Sequence, residues 1–363
     1  MTGLSASRPL IEGFDGIVCD LDGVVYRGHD EVPHAVASLL SAVSAGVGVV
    51  YATNNASRAP ADVAAHLSAL GLPGPESRVV TSAQAGARYV AQRCPPGSRV
   101  LAVGGPGVEL ALREAGLVAV RAPIPAQVTS RSQTLVAVLQ GYGAQVAWTD
   151  LAEAAYAVQA GALWVATNID STLPTDRGMA PGNGALVGAV RQAVTTDPVV
   201  VGKPHTPLYE LSISVLGTGI DRTLAIGDRL DTDIRGATAA GMSSLFVFGG
   251  VHGWADVAGA EPDTRPRFVA TDLRCLHAAY QRPVQDPAEP SRWVCGQACA
   301  WVSGSGDLGL SRTGALNDRL RAALAAIWYA ADTLGRRMDA HSGDGAALAQ
   351  ELDTALGAAA RRS

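Results

Sequence analysis

Four short apolar runs each stop at a polar side chain: GIVCD at Asp20, VGVVYATN at Thr53 and Asn54, PVVVGK at Lys203, and TLAIGD at Asp228. Continuous apolar runs of this length suit strands buried on both faces, which occur in parallel sheets covered by helices. Between and after them lie helical segments, VPHAVASLLSAVSAG, HTPLYELSISVLG and DIRGATAAG, and a further strand, SSLFVF. The alternation predicts an α/β fold with a doubly wound parallel sheet. Ligands of such sheets bind beyond the carboxyl ends of the strands. Four polar strand ends on one sheet edge therefore predict a site.

About 150 residues separate Thr53 from Lys203, too many for one crossover. The intervening segments RVLAVGG, GVELALREAG, TLVAVLQG, DLAEAAYAVQAG and LWVATN have a β/α rhythm of their own. The expected division is a core of residues 1–80 and 181–281, re-entered near PGNGALVGAVRQAV, with an inserted α/β domain at 81–180. RPVQDPAEP reads as a linker. Residues 288–363 form a small α/β extension, with short strands in RWVCGQACAWV and two Ala-rich helices. Leu316, Leu320, Ala323, Leu324, Ile327 and Trp328 fall on one helical face, which must be buried against its own small core, the catalytic domain or a second subunit.

The chain carries 28 Lys and Arg against 33 Asp and Glu, a net charge of −5 that argues against a general nucleic-acid binder. An anionic substrate then needs local positive charge from a Lys, an Arg or a metal. The five cysteines form no C-x-x-C pair, which suits a reducing cytoplasm and disfavours a zinc site. The uncharged run from Val36 to Ala56 is divided by Gly46 and Gly48 and reads as helix, stop and strand, so no membrane insertion is expected.

Asp20 and Asp22 of CDLDG lie two residues apart, so in extended chain they point to the same side. Paired carboxylates are costly unless a cation sits between them or one holds a proton. Mg²⁺ suits an oxygen-only site shared with a phosphate. One carboxylate can attack phosphorus, and the other can pass a proton to the leaving alkoxide. Alone, D-x-D-G also fits a polar turn. Thr53 and Asn54 of YATNNAS suit either phosphate oxygens or a helix N-cap. Lys203, after a buried strand, suits charge neutralisation. Asp228, Asp231 and Asp233 suit either a metal site or an acidic helix start, with Asp228 best placed at the strand end.

In this order, DLDG, TNN, GKP and GDRLDTDI resemble the haloacid dehalogenase (HAD) superfamily over roughly residues 12–280. The long insertion is similar to that of the class IIA, NagD-like phosphatases with a C2 cap. The resemblance implies a Rossmann-like HAD core in which Asp20 is the nucleophile and Asp22 the general acid/base. It implies Mg²⁺ held by Asp20, Asp228 and the backbone carbonyl of Asp22. It also implies phosphate binding by Thr53, Asn54 and Asn55, with Lys203 countering charge and Asp233 in support. The carboxylate at Asp22 favours phosphoryl transfer over dehalogenation.

The extension resembles an actinobacterial subgroup of glycerol 3-phosphate phosphatases. A homodimer acting on a small phosphorylated metabolite is the expectation. The alternatives are a phosphatase for another metabolite, such as phosphoglycolate or a nucleotide monophosphate, or a non-catalytic phosphometabolite-binding regulator. Where related caps carry Gly-x-Asp, this chain has Gly141-Tyr142-Gly143; Asn168 and Asp170 are the cap candidates, or caps of a turn. GGPGVELALREAG imitates a dinucleotide loop but puts Leu110 at the third Gly, so a plain strand–turn–helix is expected. The tail is too short for a complete acyltransferase and lacks a pyrophosphate loop.

Overall fold

A computed structural model describes residues 8–357 apart from 73, 75, 125–133, 176, 337 and 339. Two compact units divide the described residues, the first before Val50 and after Gly217, the second from Val50 to Gly217.

In the first unit the strands Phe268–Ala270, Ser243–Val247, Thr223–Gly227 and Gly16–Cys19 lie side by side in that order, all parallel. Gly16–Cys19 and Thr223–Gly227 are buried at every residue, as continuous apolar runs require. Their register pairs Cys19 with Ile226, and the Asp20 amide donates to the Ile226 carbonyl at 2.9 Å. Both chains therefore leave the sheet at one level, with Asp20 and Asp228 just past it. TLAIGD continues into a π turn, Leu230–Ile234, and then the helix Arg235–Ala239.

In the second unit Tyr51, Ala52 and Thr53, the end of the strand Gly48–Thr53, pair in parallel with Val79, Val80 and Thr81. A five-stranded parallel sheet runs in the order Val199–Val200, Leu163–Ala166, Ala137–Gln140, Arg99–Val103, Val118–Val120. Its core sets Leu101, Val138 and Trp164 against Ala154 and Val158 of the helix Trp148–Gln159. GGPGVELALREAG is the expected strand–turn–helix, with the helix at Pro106–Glu114.

Two expectations are corrected here. The PVVVGK run does not join the sheet that carries Asp20 and Asp228. Val199 and Val200 pair with Val165 and Ala166, so Lys203 follows an edge strand of the other sheet. A two-residue strand is too short for its sequence to choose between two parallel sheets; the neighbouring packing decides. The helix Asn183–Arg191, read as the return to the core, gives Val187 and Val190 to the hydrophobic core of the second unit, which extends to residue 217.

No helix among the described residues is long and apolar enough to cross a membrane. The uncharged run at 36–56 is the helix Ala35–Ser44, a stop and the strand Gly48–Thr53.

The extension is an antiparallel sheet of Val284–Gln285, Arg292–Cys295, Ala298–Val302 and Leu308–Leu310, followed by the helices Leu316–Leu334 and Gly343–Leu356. Leu320, Ala323, Leu324 and Ile327 are buried as their spacing predicts. They share one core with Phe246, Phe248, Trp254, Val257 and Val269, all from the segment that follows Asp228. The same core holds Cys295, Ala298, Ala300 and Val302 of the extension's own sheet, so the first and second of the three possible burial partners are both observed. We predict that Leu324→Ala lowers stability by about 2–5 kcal/mol through loss of transfer energy and the cavity left behind. Thermal or urea unfolding checks this, and a change below about 1 kcal/mol would show that the shared core is not tight.

Candidate active site

Directly after the Gly16–Cys19 strand the chain turns within a few residues. The amides of Val24, Val25 and Tyr26 all donate to the Leu21 carbonyl at 2.9–3.2 Å, and the Gly23 amide donates to the Tyr26 carbonyl at 2.8 Å. Asp20 is half-buried and Asp22 is exposed. Carboxylate oxygens of Asp20, Asp228 and Asp233 lie within 4.8 Å of one another. Asp228 and Asp233 are buried at 0% and 3% exposure.

The π turn brings Asp233 into this group. The extra residue in the turn sends the side chain back toward the strand end, where Asp233 Oδ2 accepts the Arg229 amide at 3.1 Å. Asp233 rests on Gly227, and a Cβ at position 227 would stand 2.2 Å from its own Cβ. Asp228 is held in a similar way. Its Oδ2 accepts the Val251 amide at 2.7 Å, and a Cβ at Gly250 would lie 2.0 Å from that same oxygen. Gly249 and Gly250 follow the Ser243–Val247 strand, so the close approach of backbone to carboxylate depends on the absence of side chains there.

Arg27 donates through Nε to the Gly249 carbonyl. Burial lowers the Arg27 pKa, and the negative charge of Asp228 opposes that shift. Asp231 stays out of the cluster and pairs with Arg229 at 2.9 Å. Burial alone would raise its pKa, but Arg229 and then His252 leave it lowered overall.

Three buried or half-buried carboxylates this close repel, and desolvation adds to the cost. An oxygen-only donor set of this kind fits a hard divalent cation, and Mg²⁺ in particular takes carboxylates, waters and a phosphate oxygen.

In the second unit Thr53 ends its strand with 4% exposure, and its Oγ1 accepts the Asn55 amide at 3.0 Å. Asn55 Oδ1 in turn accepts from the Ser57 amide at 3.0 Å and from its hydroxyl at 2.7 Å, closing the turn. Asn54 points elsewhere. Its Oδ1 accepts the Lys203 amide at 2.8 Å, and its Nδ2 donates to the Lys203 carbonyl at 3.0 Å and to Asp170 at 3.4 Å. Lys203 is 5% exposed, and its Nζ donates to the Ala52 carbonyl at 3.3 Å. Asn168 donates to the Asn54 carbonyl at 2.8 Å, and Asn183 donates to the Asn168 carbonyl at 2.7 Å. Asn54, Asn168 and Asp170 thus form one scaffold around the Lys203 loop. His205, two residues on, has its pKa lowered by burial.

Sequence reasoning missed Arg27, Gly227, Gly249 and Gly250. The glycine pair after an apolar strand was a usable signal, because that strand end offered no polar side chain.

Residues 17–118 match the family model described as haloacid dehalogenase-like hydrolase, and residues 200–276 match one described as HAD-hydrolase-like. A D-glycerol 3-phosphate phosphatase of Mycobacterium tuberculosis is 40% identical over 342 residues, 93% of this chain and 93% of its own. A 5'-nucleotidase of Bacillus subtilis is 33% identical over 66% of this chain and 88% of its own. The crystal structure of a glycerol phosphate phosphatase from Mycobacterium tuberculosis in complex with magnesium superposes with a TM-score of 0.79 at 37% identity, covering 96% of this chain and all of that one.

Gly250→Ala and Gly227→Ala are expected to push Asp228 and Asp233 out of the cluster. The Mg²⁺ concentration for half-maximal phosphatase activity should rise at least about tenfold in each. A Mg²⁺ titration of turnover checks this, and unchanged half-saturation would show that the glycines do not set the carboxylate positions.

Proposed function

We propose, for a chain that belongs to the haloacid dehalogenase-like hydrolase family, the hydrolysis of glycerol 3-phosphate through an aspartyl-phosphate on Asp20. The chain is a phosphatase of this family and uses Mg²⁺. The substrate and the division of labour among the residues are the proposal.

The observation that carries the reading is the carboxylate cluster of Asp20, Asp228 and Asp233 at adjoining strand ends. In the proposed mechanism an Asp20 carboxylate oxygen attacks phosphorus as the ester P–O bond breaks. Exposed Asp22, protonated at that stage, gives its proton to the departing alkoxide. Asp22, now ionised, takes a proton from the water that attacks the acyl phosphate, which returns Asp20 and releases phosphate. Thr53 and Lys203 hold and neutralise the phosphoryl oxygens, while Asn54 and Asn55 fix the loops that present them. Asp20, Asp228 and Asp233 would hold Mg²⁺, with the Asp22 carbonyl as a further candidate ligand. When bound, the ion neutralises the charge that builds on phosphate and nucleophile.

For the organisation of the chain we retain a HAD core carrying an α/β cap, with Asn168 and Asp170 on the cap side. The preference for glycerol 3-phosphate rests on similarity that spans the extension as well as the core. The similarity to the 5'-nucleotidase spans 66% of the chain and keeps nucleoside monophosphates as the second reading. Five free thiols fit work in a reducing cytoplasm, and a homodimer remains part of the proposal.

Comparing kcat/KM across glycerol 3-phosphate, phosphoglycolate, sugar phosphates and nucleoside monophosphates tests the substrate. Glycerol 3-phosphate should lead, and a nucleotide ranking first would overturn that choice without touching the chemistry. The chemistry has its own check. Asp20→Asn should cut turnover by at least about 10³-fold while leaving the protein cooperatively folded. Phosphate release near the wild-type rate would remove Asp20 from the nucleophile's role. Activity should also require Mg²⁺ and be inhibited by Ca²⁺, whose longer bonds and higher coordination number disturb the aligned phosphate. Full activity in excess chelator would contradict it.

A further inference from the structure

Between the strand Phe268–Ala270 and the helix Leu316–Leu334 lies a cleft of about 450 Å³ that takes no part in the chemistry above. Tyr280, Trp293, Trp328 and Tyr329 line it, all half-buried, and Arg267 and Arg282 stand exposed on its lining. The Trp293 and Tyr329 rings lie 6.0 Å apart at 57°.

The charges on this cleft do not balance. Arg321 is buried, sits 3.8 Å above the Tyr280 ring, donates to the Val269 carbonyl at 3.0 Å and pairs with Asp318 at 3.5 Å. The lining carboxylate, Asp332, is held by Arg265, whose Nη2 donates to it at 2.9 Å. Arg267 and Arg282 have no carboxylate partner among the described residues. Both guanidinium groups approach the Phe268 ring, at 5.7 Å and 5.3 Å. Burial and then the charge of Arg282 lower the Arg267 pKa. In a chain of net charge −5, two uncompensated arginines brought to one ring form a local positive focus.

We propose that this cleft is a second ligand site, separate from the phosphatase centre, that binds a nucleotide with its base on the aromatic wall and its phosphates at Arg267 and Arg282. The volume is in the range of small-molecule pockets. Guanidinium groups match phosphate geometry and form strong charge-assisted bonds to it. Inorganic phosphate alone would leave the aromatic wall uncovered, and an uncharged ring would leave the arginines unanswered. A planar base joined to phosphate answers both features. The site lies outside the four strand ends that supply the proposed chemistry, so its occupancy bears on regulation or localisation of the enzyme.

ADP binding to the full-length protein without Mg²⁺, followed by calorimetry and tryptophan fluorescence, tests the proposal. Asp20→Asn separates this site from the phosphatase centre. We expect saturable binding that Asp20→Asn leaves within about twofold, and that the double variant Arg267→Gln/Arg282→Gln weakens by at least about tenfold. The double variant should keep its melting temperature and its turnover of p-nitrophenyl phosphate, since both side chains are exposed and outside the chemistry. Adenosine and inorganic phosphate should each bind at least about tenfold more weakly than ADP. Absence of saturable ADP binding up to about 5 mM overturns the proposal. So does binding lost in Asp20→Asn but kept in the arginine variant, and so does inorganic phosphate binding as well as ADP.

Discussion

The crowding of Asp20, Asp228 and Asp233 is the constraint on which the rest of the site depends. Each carboxylate is placed by a separate piece of backbone: a strand end, a second strand end in register with the first, and a π turn. Like charges within 4.8 Å at low exposure work against folding unless something compensates. Part of the compensation is local, through the Val251 and Arg229 amides, and Arg27 contributes charge near Asp228. The remainder is what a divalent cation supplies. The glycines at 227 and 250 follow from the same constraint, because a side chain at either would collide with a carboxylate that has to be there, while Gly249 makes room for the Gly23 carbonyl.

Lysine and asparagine in the second unit show how the opposite charge is placed. Lys203 is buried, and its position is set through its backbone. Both ends of the Asn54 amide clasp the Lys203 main chain, so the asparagine acts on the lysine more directly than on a ligand. A two-residue strand gives little rigidity of its own, and this pair of hydrogen bonds, with Asn168 and Asn183 behind it, supplies the rest.

Much of this was legible in the residues. The register that brings Asp20 and Asp228 together follows from two fully buried apolar runs, and the tail helix buried the face its spacing implied. Other features were not legible, for identifiable reasons. PVVVGK looks the same whichever sheet it joins, because a continuous apolar run carries no alternation to mark its neighbours. The clasp of Asn54 on the Lys203 main chain has no mark in the residues, because sequence shows which groups can donate, not which partner wins. The π turn at Leu230–Ile234 has no compositional mark, so the approach of Asp233 to Asp20 and Asp228 could not be read from the residues. The cleft beside Arg267 and Arg282 arises from residues distant along the chain and had no motif to announce it.

The central claim is that the three carboxylates are mutually repulsive and held for a cation. Thermal unfolding of the protein and of Asp233→Asn, each with chelator and with saturating Mg²⁺, tests it most directly. Asparagine can still accept the Arg229 amide but removes one negative charge. The account predicts that the variant without metal melts at or above the wild-type temperature. It also predicts that the rise on adding Mg²⁺, about 2.7 kcal/mol at a hundredfold excess over the dissociation constant, shrinks markedly in the variant. A variant that melts lower without metal and keeps the full Mg²⁺ response would contradict it.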